Sequence, residues 1–516
     1  MAAHHFGGLF ARPGGLGGEL PEQAPQPGYF ADLQLDLLVD AVVAEHEGPD
    51  LRPAFHARLD DPAAIERRQA VFTDLADDRL RSAVRAFRDG LGRCAGQFRA
   101  ASRIRHEQRS QRWRLNAVAT YVEVIDAVTV ALEDAAPASA GMREWLAWLR
   151  EYRADPDFAA MAAEARTLIA ELGDLRYTLS ISGDEITAGP PAGQDDLNAA
   201  TVATFERFAS GEVAGHDFDL RPGAEMDHLH QAVLDLLVRL FPEVFERAAR
   251  FVGRHPTVRH PVIDGVEREL RFALAWLDFI APVRAAGLPF CFPEVGPGRR
   301  LEVVETFDVL LARTLVATGE RPVTNDVALG RDELVLVVTG PNQGGKTTFA
   351  RTIGQLYHLA ALGLPVPGGF VALHPPDAIL THFERGDRPD ELSSRLEDEV
   401  TRVAELLTEA GDRSLVILNE MFSSTTFVDA RTMSSDVLRA VLDAGSAGVC
   451  VTFIDELSRL DPRVVSLVAG IDEQDATRRT FRVARGRADG EAHARALAAK
   501  YGLTQEQLRA RIEAHA

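Results

Sequence analysis

The chain has 516 residues, 46% hydrophobic and 26% charged, enough apolar surface for several packed domains, which excludes a disordered, collagen-like or disulfide-scaffold protein. Its formal charge of −21, from 56 basic and 77 acidic side chains, excludes coating of nucleic acid by bulk electrostatics, so any DNA contact must be local. Cys94, Cys291 and Cys450 lie far apart in the sequence, form no CxxC or Cys/His ligand cluster, and suggest a reducing compartment and no structural zinc.

Residues 1–29 are rich in Gly and Pro, lack the basic start and apolar core of a secretory signal, and are expected to form a flexible leader. Uninterrupted apolar runs fall short of the ~18 residues a membrane span requires, so no membrane contact and a cytoplasmic location are expected. From residue 30 to about 170 the pattern is helical. Leu33, Leu35, Leu37, Leu38 and Val42 give one apolar face, and Asp60-Asp61-Pro62 marks a helix start ahead of Ile65 and Val71. Residues 79–114 hold eleven arginines against Asp89 and Glu107, the one basic island. Its arginines spread over two sides of a helical wheel, which leaves both a solvated face and a phosphate contact open.

Over residues 175–193, Tyr177, Leu179 and Ile181 alternate with polar residues, Ser182-Gly183-Asp184 makes a turn, and Ile186 resumes an extended run, predicting a small β-hairpin inserted in a helical region. Helical periodicity returns over 225–286 until Pro289, Pro293 and Pro297 break it. A long-helix domain over 30–299 is therefore expected ahead of an α/β domain over 300–516. In the latter, strands over 334–339, 414–418 and 448–454 alternate with helical stretches, the pattern of a mostly parallel sheet. An antiparallel pair over 465–471 and 480–485, turning at 472–476, and two short helical segments close the chain.

One motif decides the chemistry. Gly340-Pro341-Asn342-Gln343-Gly344-Gly345-Lys346-Thr347 fits GxxxxGK[ST] and stands between an apolar strand and a helical pattern, the setting a phosphate-binding loop requires. The glycines turn backbone N–H groups inward around phosphate oxygens, and the following helix adds the positive end of its dipole. Gly340, Pro341, Asn342, Gly344, Gly345, Lys346, Thr347 and Thr348 are the expected contacts to ATP. Lys346 neutralises the β- and γ-phosphates and the Thr347 hydroxyl ligates Mg²⁺. Lys346 and Lys500 are the only lysines among the 56 basic residues. In a chain that otherwise uses arginine, a retained lysine points to a place where a forked guanidinium does not fit.

About 75 residues later, Ser414-Leu415-Val416-Ile417-Leu418 runs into Asn419-Glu420. An apolar strand ending in an acid is where phosphate-loop proteins hold Mg²⁺ and polarise the attacking water. Glu420 is the candidate for orienting that water, with Asn419 beside the metal although an amide brings no negative charge.

Beyond the loop, Thr339 to Phe349 resembles the TGPNxGGKST motif of MutS-type DNA mismatch-repair ATPases, relatives of the ABC class. Ser394 to Leu407 is similar to that family's STFMVEMxExxxIL segment, Ser414 to Asp429 to its SLVLxDExGRGTSxxDG stretch, and Val451 to Leu457 to the stretch carrying its ATHYxEL motif. Asp60 to Val71 resembles the opening of its helical lever domain. The resemblance implies an ABC-like ATPase domain behind a lever domain, in a homodimer with two composite sites. Lys346, Thr347 and Glu420 would act on the nucleotide in cis, and Ser394 would reach the γ-phosphate held by the other subunit. Asp429 would stand at the dimer seam. Ser394 also reads as a plain helix N-cap, with Glu397 completing a capping box.

The departures from the family are Asn419 for Asp, Phe422-Ser423-Ser424 for Gly-Arg-Gly and Phe453 for His; they imply slow hydrolysis. No room is expected for mismatch-reading or connector domains, so the implied function is an ATP-dependent, DNA-binding ATPase without assured mismatch specificity, acting on double-stranded, branched or mismatched DNA. The other reading is a nucleotide-gated dimeric scaffold closing around a protein, RNA or branched-DNA partner.

Overall fold

The computed structural model describes residues 6–11, 20–46, 48–182, 185–191, 228–296, 298, 301–384, 395–472, 478–488 and 508–509. Ser394, the turn at 473–477 and nearly all of the closing segments, Lys500 included, lie outside the described residues. The chain divides into two compact units, one of residues 76–137 and 142–264, the other of residues 1–75, 138–141 and 265–516.

The first unit is built on a helical hairpin. The Asp77 carboxylate caps the helix Asp78–Arg103 by accepting from the N–H groups of Arg79 and Leu80. After a three-residue turn the helix Glu107–Ala135 returns along it. Leu80, Val84, Phe87, Leu91 and Cys94 on one helix, and Leu115, Val118, Val122, Ile125 and Thr129 on the other, recur at three- and four-residue spacing and are buried. The two backbones come close at Gly90, where an added Cβ would lie 2.2 Å from Val124 Cγ2. Glu107–Ala135 is long and apolar enough by average hydropathy to cross a membrane, and 56% of its most apolar window is buried. Strands β1 (Thr178–Ser182) and β2 (Glu185–Gly189) form the expected antiparallel hairpin, with Thr178 opposite Gly189 and Ser182 opposite Glu185.

The second unit holds two main sheets. Strands β3 (Phe290–Cys291), β4 (Glu294–Val295), β5 (Leu301–Thr306), β6 (Asn325–Leu329), β7 (Val335–Thr339), β8 (Val366–Pro367), β9 (Phe370–Leu373) and β10 (Ile379–Phe383) are followed by β11 (Leu415–Asn419), β12 (Ala447–Val451), β13 (Val464–Ile471) and β14 (Arg479–Arg485). The six-stranded sheet runs β10-β11-β12-β7-β13-β14, parallel except for the last pair. Every residue of β7 and β11 is buried, as in a sheet covered on both faces. A four-stranded sheet, β4-β9-β5-β6, stands beside it.

This division differs from the boundary expected near residue 300. Residues 30–46, 48–75 and 265–296 fall in one unit with the α/β elements, in which the helix Lys346–Ala361 is buried on nearly all sides. At Gly354 an added Cβ would lie 2.6 Å from Leu33 Cδ2 and 2.7 Å from Ile417 Cδ1, so a helical segment from early in the chain and a central strand close on the same point. Gln355 Nε2 donates to Leu33 O at 2.9 Å and Arg351 Nε to Asp32 O at 3.0 Å. The leader is also packed where it is described. Leu9 and Phe10 are fully buried, and the Leu9 N–H donates to the Glu269 carboxylate at 2.7 Å. Trp276 is fully buried and its Nε1–H donates to Pro365 O at 3.0 Å. Trp276→Ala is expected to cost about 3–5 kcal/mol, the range for emptying a large aromatic site, read as a lower urea midpoint at unchanged slope.

Candidate active site

Strand β7 delivers the chain to the loop of residues 340–345, and Gly345 is the N-cap residue of the helix Lys346–Ala361. Gly340, Gln343 and Gly345 have φ of 122°, 60° and 89°. A Cβ on Gly340 would lie 3.0 Å from Ala469 O, and one on Gly344 2.9 Å from Pro341 O, so the loop folds tightly on itself and on β13. The loop therefore ends at a helix N-terminus, the positive end of the helix dipole and a setting that favours an anion.

Lys346 is only 4% exposed. Its Nζ donates to Gly340 O and Pro341 O, each at 3.0 Å, and lies 4.5 Å from the centroid of the Phe453 ring. Burial lowers its pKa, with the Glu420 charge opposing and the Arg479 charge adding to the drop. Arg479 Nε donates to Asn342 O at 3.2 Å, placing a second cation at the rim.

The Thr347 hydroxyl donates to Asn419 Oδ1 at 3.0 Å. Asn419 ends β11, and the next residue, Glu420, has a φ of 54° and donates its N–H to Val451 O at 2.9 Å on the neighbouring strand. Burial raises the Glu420 pKa, Lys346 opposes the rise and Glu384 adds to it. A raised carboxyl is a stronger proton acceptor once ionised. Both oxygens beside the loop, from Thr347 and Asn419, are neutral, and among the described residues no group of three His, Cys, Asp or Glu converges as a metal set. Such a donor pair fits a Mg²⁺ that arrives on nucleotide phosphates rather than one held by a protein cage.

A cavity of about 820 Å³ opens from the loop. Asn342 to Thr348 and Glu420 form its polar side. Phe307, Leu311, Leu315, Pro322, Val323 and Phe481 form an apolar side suited to a planar base. Phe481 is half exposed and is held by Asn325, whose Nδ2 donates to Phe481 O at 3.3 Å and whose Oδ1 accepts from Val483 N at 2.7 Å. Sequence reasoning missed this wall, because scattered apolar residues carry no motif. Of the residues expected from the sequence, Asn342, Gly344, Gly345, Lys346, Thr347, Thr348 and Glu420 line the cavity, Gly340 and Pro341 accept from Lys346 Nζ, and Asn419 is bonded to Thr347; Ser394 lies outside the described residues.

Residues 336–500 match the family model for MutS domain V. This match and relatives of the MutS family support the resemblance read from the motifs. The chain is 29% identical over 290 residues to the DNA mismatch repair protein MutS of Synechococcus sp. (strain CC9605), which is 55% of this chain and 29% of that relative. It is 28% identical over 310 residues to the MutS of Desulfatibacillum aliphaticivorans, covering 58% of this chain and 32% of the relative. With Endonuclease MutS2 of Thermus thermophilus the identity is 27% over 248 residues, 48% of this chain and 32% of the relative. The chain thus matches about a third of the length of these MutS-family relatives. Within the matched residues, two of the three departures from the family pattern, Asn419 and Phe453, touch the site itself, one bonded to Thr347 and the other over Lys346.

Proposed function

We propose that this chain is a slow ATPase of the MutS type that couples ATP binding at paired sites to contact with DNA. The observation that carries the reading is the joining of the buried Lys346, its glycine loop, the Thr347–Asn419 pair and Glu420 at the C-terminal ends of the parallel strands β7 and β11, in a region that matches MutS domain V. Lys346 and the loop N–H groups would hold the β- and γ-phosphates, and the apolar wall with Phe481 would take the base. Glu420 would orient the attacking water and accept its proton. Mg²⁺, held by the Thr347 hydroxyl and the Asn419 carbonyl oxygen, would neutralise charge between the phosphates.

The second copy enters through Ser394 and the segment beginning at Phe427. Phe427 and Val428 are 58% and 60% exposed at the start of the helix Phe427–Ala444, next to Asp429, which supports a seam there between two copies. ATP bridging the seam would favour the closed dimer, and hydrolysis would release it. Steady-state hydrolysis measured alone and with homoduplex, mismatched, branched and single-stranded DNA tests the reading. Turnover that changes with one duplex form supports it, and a chain that neither hydrolyses ATP nor binds any of these DNAs overturns it.

The neutral metal side gives a separate expectation. Asn419→Asp restores a carboxylate beside Thr347 and is expected to lower the Mg²⁺ concentration for half-maximal turnover about tenfold and to raise the rate. A Mg²⁺ titration of hydrolysis checks it, and an unchanged midpoint would mean that the amide costs nothing.

A further inference from the structure

Strand β10 pairs in parallel with β11, so that His382 lies opposite Leu418 and Phe383 opposite Asn419. His382 is 2% exposed and Glu399, on the helix Arg395–Glu409, is 7% exposed. The same carboxylate oxygen, Glu399 Oε1, accepts the Phe422 backbone N–H at 2.6 Å and lies 3.0 Å from His382 Nε2. Burial pushes the Glu399 carboxyl up, but the bonds from His382 and Phe422 outweigh it and the net shift is downward. The group is therefore ionised and His382 Nε2–H is the donor, an assignment that follows from the bonding pattern.

A carboxylate taken out of water is retained only where it is fully engaged, and what it engages here is the turn that carries Glu420. Glu420 and Phe422 both have positive φ, 54° and 58°, a conformation costly for any residue but glycine and kept only where neighbours enforce it. Two bonds enforce it. Val451 O accepts the Glu420 N–H from the β12 side, and Glu399 accepts the Phe422 N–H from the helix side. Glu399 touches neither the loop nor the cavity wall, so its bearing on the site runs through the turn.

We propose that Glu399, oriented by His382, is a positioning residue for Glu420, tying the carboxylate that orients water to the helix that begins one residue after Ser394. The inference rests on the ATPase reading above. It makes the helix and the turn one mechanical piece, so that a shift of the helix on nucleotide contact from a second copy moves Glu420.

The test compares Glu399→Ala and Glu399→Gln in the full chain by single-turnover ATP hydrolysis and by ATP affinity. The amide oxygen of Gln still accepts from Phe422 and His382, whereas Ala removes both bonds. Glu399→Ala is expected to slow hydrolysis about 10- to 50-fold with affinity within threefold, and Glu399→Gln to stay within threefold on both. In a Glu420→Gln background, Glu399→Ala is expected to add less than about twofold. Unchanged hydrolysis in Glu399→Ala, an equal loss in affinity, or a full effect in the Glu420→Gln background would each overturn the inference. If Glu399→Ala does not fold, His382→Leu, which spares the Phe422 bond, is expected to slow hydrolysis about threefold or more at unchanged affinity, and a wild-type rate there overturns it. A wild-type chain without turnover would sink the ATPase reading itself, whereas an active wild type with an equally active Glu399→Ala sinks this inference alone.

Discussion

Replacing Glu420 with glutamine is expected to lower single-turnover ATP hydrolysis about 10²- to 10³-fold while leaving ATP affinity within about threefold. The amide matches the carboxylate in size and keeps the backbone bond to Val451 O, so the turn stays formed. What is lost is the proton acceptor. Glu420 sits where burial raises its pKa and Lys346 restrains the rise, and the rate should fall as pH drops through that raised value, because the protonated acid cannot accept from water. A Glu420→Gln chain that hydrolyses ATP at the wild-type rate would remove Glu420 from the chemistry and point to another group at the rim.

Lys346→Ala is expected to weaken ATP binding about 100-fold, or about 2.7 kcal/mol, measured by anisotropy of a fluorescent ATP analogue. The Nζ is a point charge with three donors, confined between two carbonyl oxygens and the Phe453 ring at 4% exposure. Lys346→Arg should lose most of that affinity too, since a planar fork cannot enter a space bounded on three sides by the loop and an aromatic face. Affinity unchanged in both variants would show that the loop does not contact the phosphates.

The sequence was most informative where local chemistry dictates local shape. The glycine loop between a strand and a helix, the acid after β11, the hairpin at 178–189 and the antiparallel pair of β13 and β14 all follow from residue type and short-range spacing. The smaller sheets did not, because β3 and β8, which pair with each other, are two residues long, and in the four-stranded sheet the two-residue β4 pairs with β9 across more than seventy residues. Periodicity says that a helix has an apolar face without saying what that face meets. Leu33 and Trp276 therefore read as part of a helical domain although they pack beside the helix Lys346–Ala361 and the strands. Likewise, a Gly- and Pro-rich leader signals irregular backbone, not exposure, and Leu9 and Phe10 are buried. In the site, the glycine loop was legible because it is a motif. The apolar wall was not, because Phe307, Val323 and Phe481 lie far apart in the sequence and meet only in the fold. Glu399 and His382 fit no metal or nucleophile pattern, and only their shared burial beside Phe422 sets them apart.

The central claim is that the glycine loop carrying Lys346 holds a nucleoside triphosphate. Calorimetric titration of the full chain with ATP and Mg²⁺ tests it most directly. Saturable uptake of about one nucleotide per chain, lost in Lys346→Ala, is the predicted result, and a flat titration of the folded wild-type chain would contradict it.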